Sequence, residues 1–255
     1  MPVLFVGHGS PMNALQDNSL TRAWTVLGRR LPRPRAVLAV SAHWETKGTL
    51  ITAAERPRTI HDFYNFPPEL YAIDYPAPGD PALARRIETL LAPHARADLD
   101  GWGLDHGVWS VLKFLYPAAD IPVVALSMDL RLDTAGHYAV GRALRVLRDE
   151  GVLIVGSGNI VHNLRLFDRQ ATQGLDWAVR FNHAVKAAVT RGDHDAVARY
   201  AALPDAPLAV PEPEHYHPLL YVLGAQHPGE AIEVVTDEVL GSLSMTGFLI
   251  GEPAV

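Results

Sequence analysis

Three short apolar runs, each closed by glycine or serine and followed by a histidine, constrain this chain more than any other feature. Val3-Leu4-Phe5-Val6 runs into Gly7-His8-Gly9-Ser10. Ala36-Val37-Leu38-Ala39-Val40 runs into Ser41-Ala42-His43-Trp44, and Val152-Leu153-Ile154-Val155 runs into Gly156-Ser157-Gly158-Asn159-Ile160-Val161-His162. Short β-branched runs bounded this way read as buried strands of a mainly parallel sheet. Open α/β sheets collect ligands at the carboxyl ends of their strands. Histidines far apart in sequence would then converge on one crevice. Imidazole is the commonest protein metal ligand, so a metal site is the first expectation.

The segments between these runs fit an α/β chain. Residues 18–30 carry Leu20, Trp24 and Leu27 at helical spacing, and Pro32 and Pro34 stop that helix. Residues 55–80 hold prolines and aromatics without a period. So long a loop in a compact domain is usually functional, often the wall of a site. Asp80-Pro81 opens a helix over 82–92, with proline at its first position. Residues 99–111 hold three glycines, Trp102, His106 and Trp109, and read as a second site loop. Residues 122–128 form a strand, and Asp133 caps a helix to about residue 148. Further helices cover 176–191 and 194–203. Glu212-Pro213-Glu214-His215-Tyr216 opens a helix through residue 223, and 232–235 and 242–250 close the chain as two strands. The expected fold is one α/β domain over 1–255: a mainly parallel central sheet flanked by helices, with the site at the strands' carboxyl ends.

Composition removes several classes of function. The chain has no cysteine, so any metal must be held by imidazole and carboxylate, and no thiol chemistry is available. A formal net charge of −6 argues against nucleic acid as a partner. No apolar run approaches the ~20 residues that span a bilayer. No basic segment followed by a long apolar stretch marks a signal peptide, so a cytoplasmic protein without membrane association is expected.

Six of the twelve histidines have a plain reading. His94, His137, His183, His194 and His227 fall in helices or polar stretches without convergent partners. His217, two residues from His215 on one helix, points to another face. His8, His43 and His162 differ, because each follows an expected strand and has small neighbours. His61 and His106 are loop candidates behind them. Neither glycine-rich turn matches a phosphate-binding motif, and no GxSxG elbow is present.

Taken together, Gly7-His8-Gly9-Ser10-Pro11-Met12-Asn13, Ser41-Ala42-His43-Trp44, Ile60-His61-Asp62-Phe63, Asp105-His106-Gly107, Ser157-Gly158-Asn159-Ile160-Val161-His162-Asn163-Leu164 and Pro213-Glu214-His215-Tyr216 resemble the class III extradiol ring-cleavage dioxygenases. The nearest resemblance is to the 4,5-DOPA-extradiol-dioxygenase-like branch, in the same order over nearly the whole chain. The resemblance implies a mononuclear non-haem Fe(II) site that cleaves a catechol beside its two hydroxyls and inserts both atoms of O2. It implies His8, His43 and His215 as metal ligands, with Glu214 as the alternative to His215. It implies His162 as the catalytic acid/base, able to close the shell as a fourth ligand when zinc is bound, and His106 as a second catalytic pocket histidine. Three neutral ligands make Zn(II) occupancy of purified protein easy. His61, Phe63 and Tyr64 are expected to bind the substrate ring, within an aromatic loop that includes Phe66, Tyr71 and Tyr75. The expected partners are a small catechol and O2, with a homo-oligomer left open. A zinc-dependent hydrolase and a non-catalytic Memo-like binding protein remain the alternatives.

Overall fold

The computed structural model describes residues 1–98, 101–168 and 170–251. All three expected histidine-bearing strands form: β1 (Val3–Gly7), β2 (Ala36–Thr46) and, further along, β6 (Val152–Gly158). The helix α1 (Ser19–Arg30) follows β1, held at its start by a reciprocal Asn18–Thr21 capping box. Then come β3 (Thr49–Thr52), α2 (Pro68–Tyr71), α3 (Pro81–Leu90), β4 (Ala95–Asp98), α4 (His106–Leu115) and β5 (Val123–Asp129). Asp80 caps α3 as its sequence predicts, accepting from the Leu83 amide. The helices α5 (Thr134–Leu144) and α6 (Val146–Asp149) precede β6. The rest is α7 (Asp176–Thr190), α8 (His194–Ala198), α9 (Ala206–Ala209), α10 (His217–Gly224), β7 (Ile232–Thr236), the small ribbon β8 (Val239–Leu240) and β9 (Leu243–Ser244), and β10 (Gly247–Ile250).

Eight strands make one sheet in the order β4-β3-β5-β2-β6-β1-β10-β7. Its centre, β5-β2-β6-β1, is parallel, and β7 and β10 extend it antiparallel. Side chains alternate across a strand, so a strand buried on both faces must be apolar throughout. Val3 and Phe5 pack with Leu38, Ile154, Phe181 and Leu219 on one face. Leu4 and Val6 pack with Ala39, Val155, Trp24 and Trp109 on the other.

Register sets up the site. Gly7 lies opposite Gly158, and Ser41 opposite Ser157. The carboxyl ends of β1 and β2 therefore finish level on either side of β6, which brings His8 and His43 together.

Several sequence expectations need correction. Strand β2 runs on to Thr46 and carries His43 within it, with irregular pairing between Val40 and Glu45. Residues 106–111 are helical rather than loop, because α4 begins at His106 and packs its apolar face on the sheet. Residues 99 and 100 of that expected loop lie outside the described residues. Strands β3 and β4 had no apolar signal; β4 is Ala-Arg-Ala-Asp. The helix expected over 134–148 is divided into α5 and α6, and the last segment into β9 and β10.

Candidate metal centre

His8, His43 and His215 lie at three corners of a small triangle. Their ring centroids are 5.0 Å (His8–His43), 5.5 Å (His8–His215) and 5.1 Å (His43–His215) apart. Each offers a nitrogen within 4.8 Å of the others. His215 reaches this point on the turn before α10, whose backbone is clasped by β6: the Asn159 amide donates to the His215 carbonyl at 2.8 Å. A Cβ on Gly158 would stand 2.1 Å from that carbonyl oxygen, so only glycine permits the approach.

Hydrogen bonds decide which nitrogens face the centre. The Ser157 hydroxyl donates its only proton to the Gly107 carbonyl at 2.6 Å. It must therefore accept at 2.9 Å from His8, whose proton sits on Nδ1. The Nδ1 of His43 lies 3.3 Å from the Asp62 carboxylate, and the Nδ1 of His215 lies 3.0 Å from Glu214. A carboxylate only accepts, so the hydrogen bond to Glu214 puts the His215 proton on Nδ1, and the Asp62 carboxylate beside His43 favours the same tautomer there. The Nε2 atoms of His8 and His215 are left with bare lone pairs, as is that of His43 in this tautomer.

Two such lone pairs meet at 3.0 Å, between His8 and His43. In the tautomer that Asp62 favours neither can donate, and the pair is repulsive unless a cation lies between them. Two nitrogens each about 2.0–2.1 Å from one ion stand roughly 3 Å apart, so the donor set fits a metal. Orientation of each ring by a partner on its far nitrogen is the usual arrangement around a bound ion.

Burial keeps these rings neutral. It lowers the proton affinity of His8 and His215 well below the ordinary imidazole range, with further lowering from the neighbouring histidines. Burial, then His106, lowers His43 to about 3.

His106 stands next to the triangle at the first turn of α4, its ring 4.0 Å from His43 and 5.4 Å from His8. Gly107 allows this packing, since a Cβ there would lie 2.6 Å from the Ser41 hydroxyl and 3.1 Å from the His43 ring. Behind it, buried Asp105 accepts from Ser41 at 2.7 Å and Trp102 at 3.2 Å. Burial, with the nearby Asp62 charge, pushes Asp105 up to about 6.

His162 stacks on His215, with centroids 3.4 Å apart and planes 10° from parallel. Burial, then the neighbouring His106, lowers it to about 4, so it is neutral at pH 7 and able to take a proton. Its Nδ1 is 4.0 Å from Glu214, too far for a hydrogen bond.

His61 donates to the Ile73 carbonyl at 3.0 Å, which holds it in an aromatic cluster with Phe63, Tyr71 and Trp109. Phe63 is buried with its ring 5.7 Å from His106, whereas the Tyr64 side chain is 84% exposed. Tyr75 is buried too, donating to the Tyr116 carbonyl. His94 and His183 are exposed. His137 corrects its plain reading: it is buried, bonded to the Tyr221 hydroxyl at 2.9 Å, with His217 4.2 Å away. Helical spacing hid this, because the partner comes from α10. Asp62 and Ser157 are the polar residues that sequence reasoning did not single out, although both fall inside the motifs quoted above.

The comparisons with known proteins agree with this geometry. Residues 3–245 match the family described as the catalytic LigB subunit of aromatic ring-opening dioxygenase. The chain is 51% identical to the 4,5-DOPA dioxygenase extradiol of Escherichia coli K12, covering 98% of this chain and 95% of that one. It is 37% identical to the protein of the same name from Beta vulgaris, over 95% and 93% of the two chains. The crystal structure of an uncharacterized protein from Escherichia coli K12 superposes with a TM-score of 0.87 at 46% identity, covering 98% of this chain and all of the other. Members of this family are metal-dependent, and the histidine cluster is one that could bind a metal. The chain belongs to the LigB family and is an extradiol dioxygenase that opens aromatic rings.

Proposed function

We propose that this enzyme cleaves a DOPA-like catechol at an Fe(II) centre held by His8, His43 and His215. The observation that carries the ligand assignment is the cluster of three ring nitrogens within 4.8 Å of one another, with the Nε2 atoms of His8 and His43 3.0 Å apart. Glu214 is the acceptor that orients His215 rather than the third ligand. The choice of a DOPA-like substrate rests on the two relatives named for it. One eight-stranded sheet joins residues from β1 to β10, which supports a single catalytic domain over 1–255.

When bound, the metal supplies a Lewis acid that lowers the catechol hydroxyl pKa and a redox centre for O2. The protein's own groups handle the protons. His162 is neutral and takes the proton of a substrate hydroxyl, then returns it as acid when the ring opens. His106, with its Nδ1 proton committed to Asp62, turns Nε2 toward the pocket as an acceptor that orients substrate. Phe63, buried against His106, with His61 behind it, gives the pocket an apolar wall for a flat ring. Tyr64, exposed on the same loop, is assigned to substrate contact. Zn(II) suits the same three histidines and occupies the site after aerobic purification.

The test is anaerobic loading with Fe(II), followed by catechols and O2. Oxygen uptake with a coloured ring-opened product from DOPA is expected. Turnover of esters or amides by the Zn(II)-loaded protein, with no oxygen uptake by the Fe(II) form, would contradict the proposal.

A further inference from the structure

A single carboxylate joins the metal triangle to its neighbouring histidine. Asp62 Oδ1 accepts from the backbone amide of His106 at 2.9 Å, at the first turn of α4. Its Oδ2 accepts from the His106 ring Nδ1 at 3.0 Å and lies 3.3 Å from the His43 Nδ1. As a carboxylate, Asp62 offers acceptors only.

We infer that Asp62 is a positioning residue that sets the tautomers of His43 and His106 together, so that both rings turn a bare Nε2 to the reaction space. The inference rests on His43 being a metal ligand, as proposed above. Two N–H groups of His106 on α4 donate to Asp62 and the Nδ1 of His43 on β2 lies beside it, while Asp62 itself comes from the loop after β3. Without it, the His8 Nε2 acceptor 3.0 Å away would draw the His43 proton onto Nε2, and nothing else among the described residues anchors the His106 ring by Nδ1. An asparagine of the same shape cannot replace it. With its oxygen toward the His106 amide, its NH2 faces both rings and forces their protons onto Nε2, which closes His43 to a metal. Flipped, its NH2 opposes the His106 amide instead.

The metal-free protein is examined by nitrogen-15 NMR of its histidine rings, assigned by substitution, and its zinc affinity by chelator competition. His43 and His106 are expected to carry their protons on Nδ1. The Asp62→Asn variant is expected to lose this tautomer at His43 and to bind zinc 10–100-fold more weakly, the usual effect of removing a partner behind a ligand. Unchanged ring signals and unchanged zinc affinity in Asp62→Asn would overturn the inference. So would a His43 proton on Nε2 in the parent protein, a result that needs no variant to fold. His43→Ala is the reference: full zinc affinity there would remove the ligand assignment on which the inference rests. None of these readouts uses turnover, so failure of the ring-cleavage assay is a separate result.

Discussion

The Ser157 hydroxyl determines which nitrogen of His8 faces the centre, because its own proton is already given to Gly107. Ser157→Ala leaves the buried His8 Nδ1–H without an acceptor. That costs about 1–3 kcal/mol of stability, and metal affinity should fall about 10–100-fold. Denaturant unfolding and zinc competition measure the two effects. His8→Ala and His215→Ala should empty the site, read as metal content after dialysis. His162→Ala should retain metal while kcat falls by ~10²–10⁴, because its contribution is proton transfer. Complete loss of metal in His162→Ala would instead make it an obligatory ligand. His8, His43 and His162 were legible in the sequence, because strand-end spacing and small neighbours marked them, whereas His215 came only with the family resemblance. Ser157 and Asp62 were not, since a polar acceptor acquires its meaning only when the register of β1, β2 and β6 is known.

Among the elements, the junction between β6 and the turn before α10 is the tightest in the site. A methyl group at Gly158 meets the His215 carbonyl at 2.1 Å, and backbone cannot yield as a side-chain tip can. Gly158→Ala should therefore both destabilise the fold, by about 1–3 kcal/mol, and displace His215, read as weaker zinc binding. Normal zinc affinity with lowered stability would mean that the turn relaxes elsewhere. In the long aromatic loop, Phe63 and Tyr64 separate structure from recognition. Phe63→Ala removes a buried ring and should cost roughly 3–5 kcal/mol. Tyr64→Ala should change stability by no more than about 0.5 kcal/mol, so a shift in KM among catechols there reports substrate contact alone. The apolar runs announced the central strands because burial on both faces leaves no other composition open. Strands β3 and β4 were silent, because they lie toward the sheet edge and keep Thr, Arg and Asp. The opening of α4 read as loop because glycines and tryptophans near residue 106 suggest a turn, whereas the packing of Trp109, Val111 and Leu112 on the sheet makes a helix.

At the scale of the whole molecule, the sheet gathers histidines from residue 8 to residue 215 in a buried space that excludes protons. Unfolded histidine titrates near pH 6.5, while His43 is held at about 3 and His162 and His137 at about 4, burial being the largest cause of each. Between these values the unfolded chain binds more protons than the folded one, so stability rises with pH. The contribution is present above about pH 6.5 and is lost as pH falls toward the folded values. The melting temperature of the metal-free protein should therefore drop between pH 7 and pH 5. A flat or rising profile there would mean that the cluster is hydrated rather than buried. Among the described residues, no helix is long and apolar enough to cross a membrane. The sequence motifs already pointed to ring cleavage with both atoms of O2, and the histidine geometry supplies a centre for it. The most direct measurement is mass spectrometry of the product formed by the Fe(II)-loaded enzyme from a catechol under ¹⁸O₂. Two heavy oxygen atoms in the ring-opened product are expected, allowing for exchange of aldehyde oxygen with water. Product whose new oxygen comes only from water, or no ring opening at all, would contradict the account.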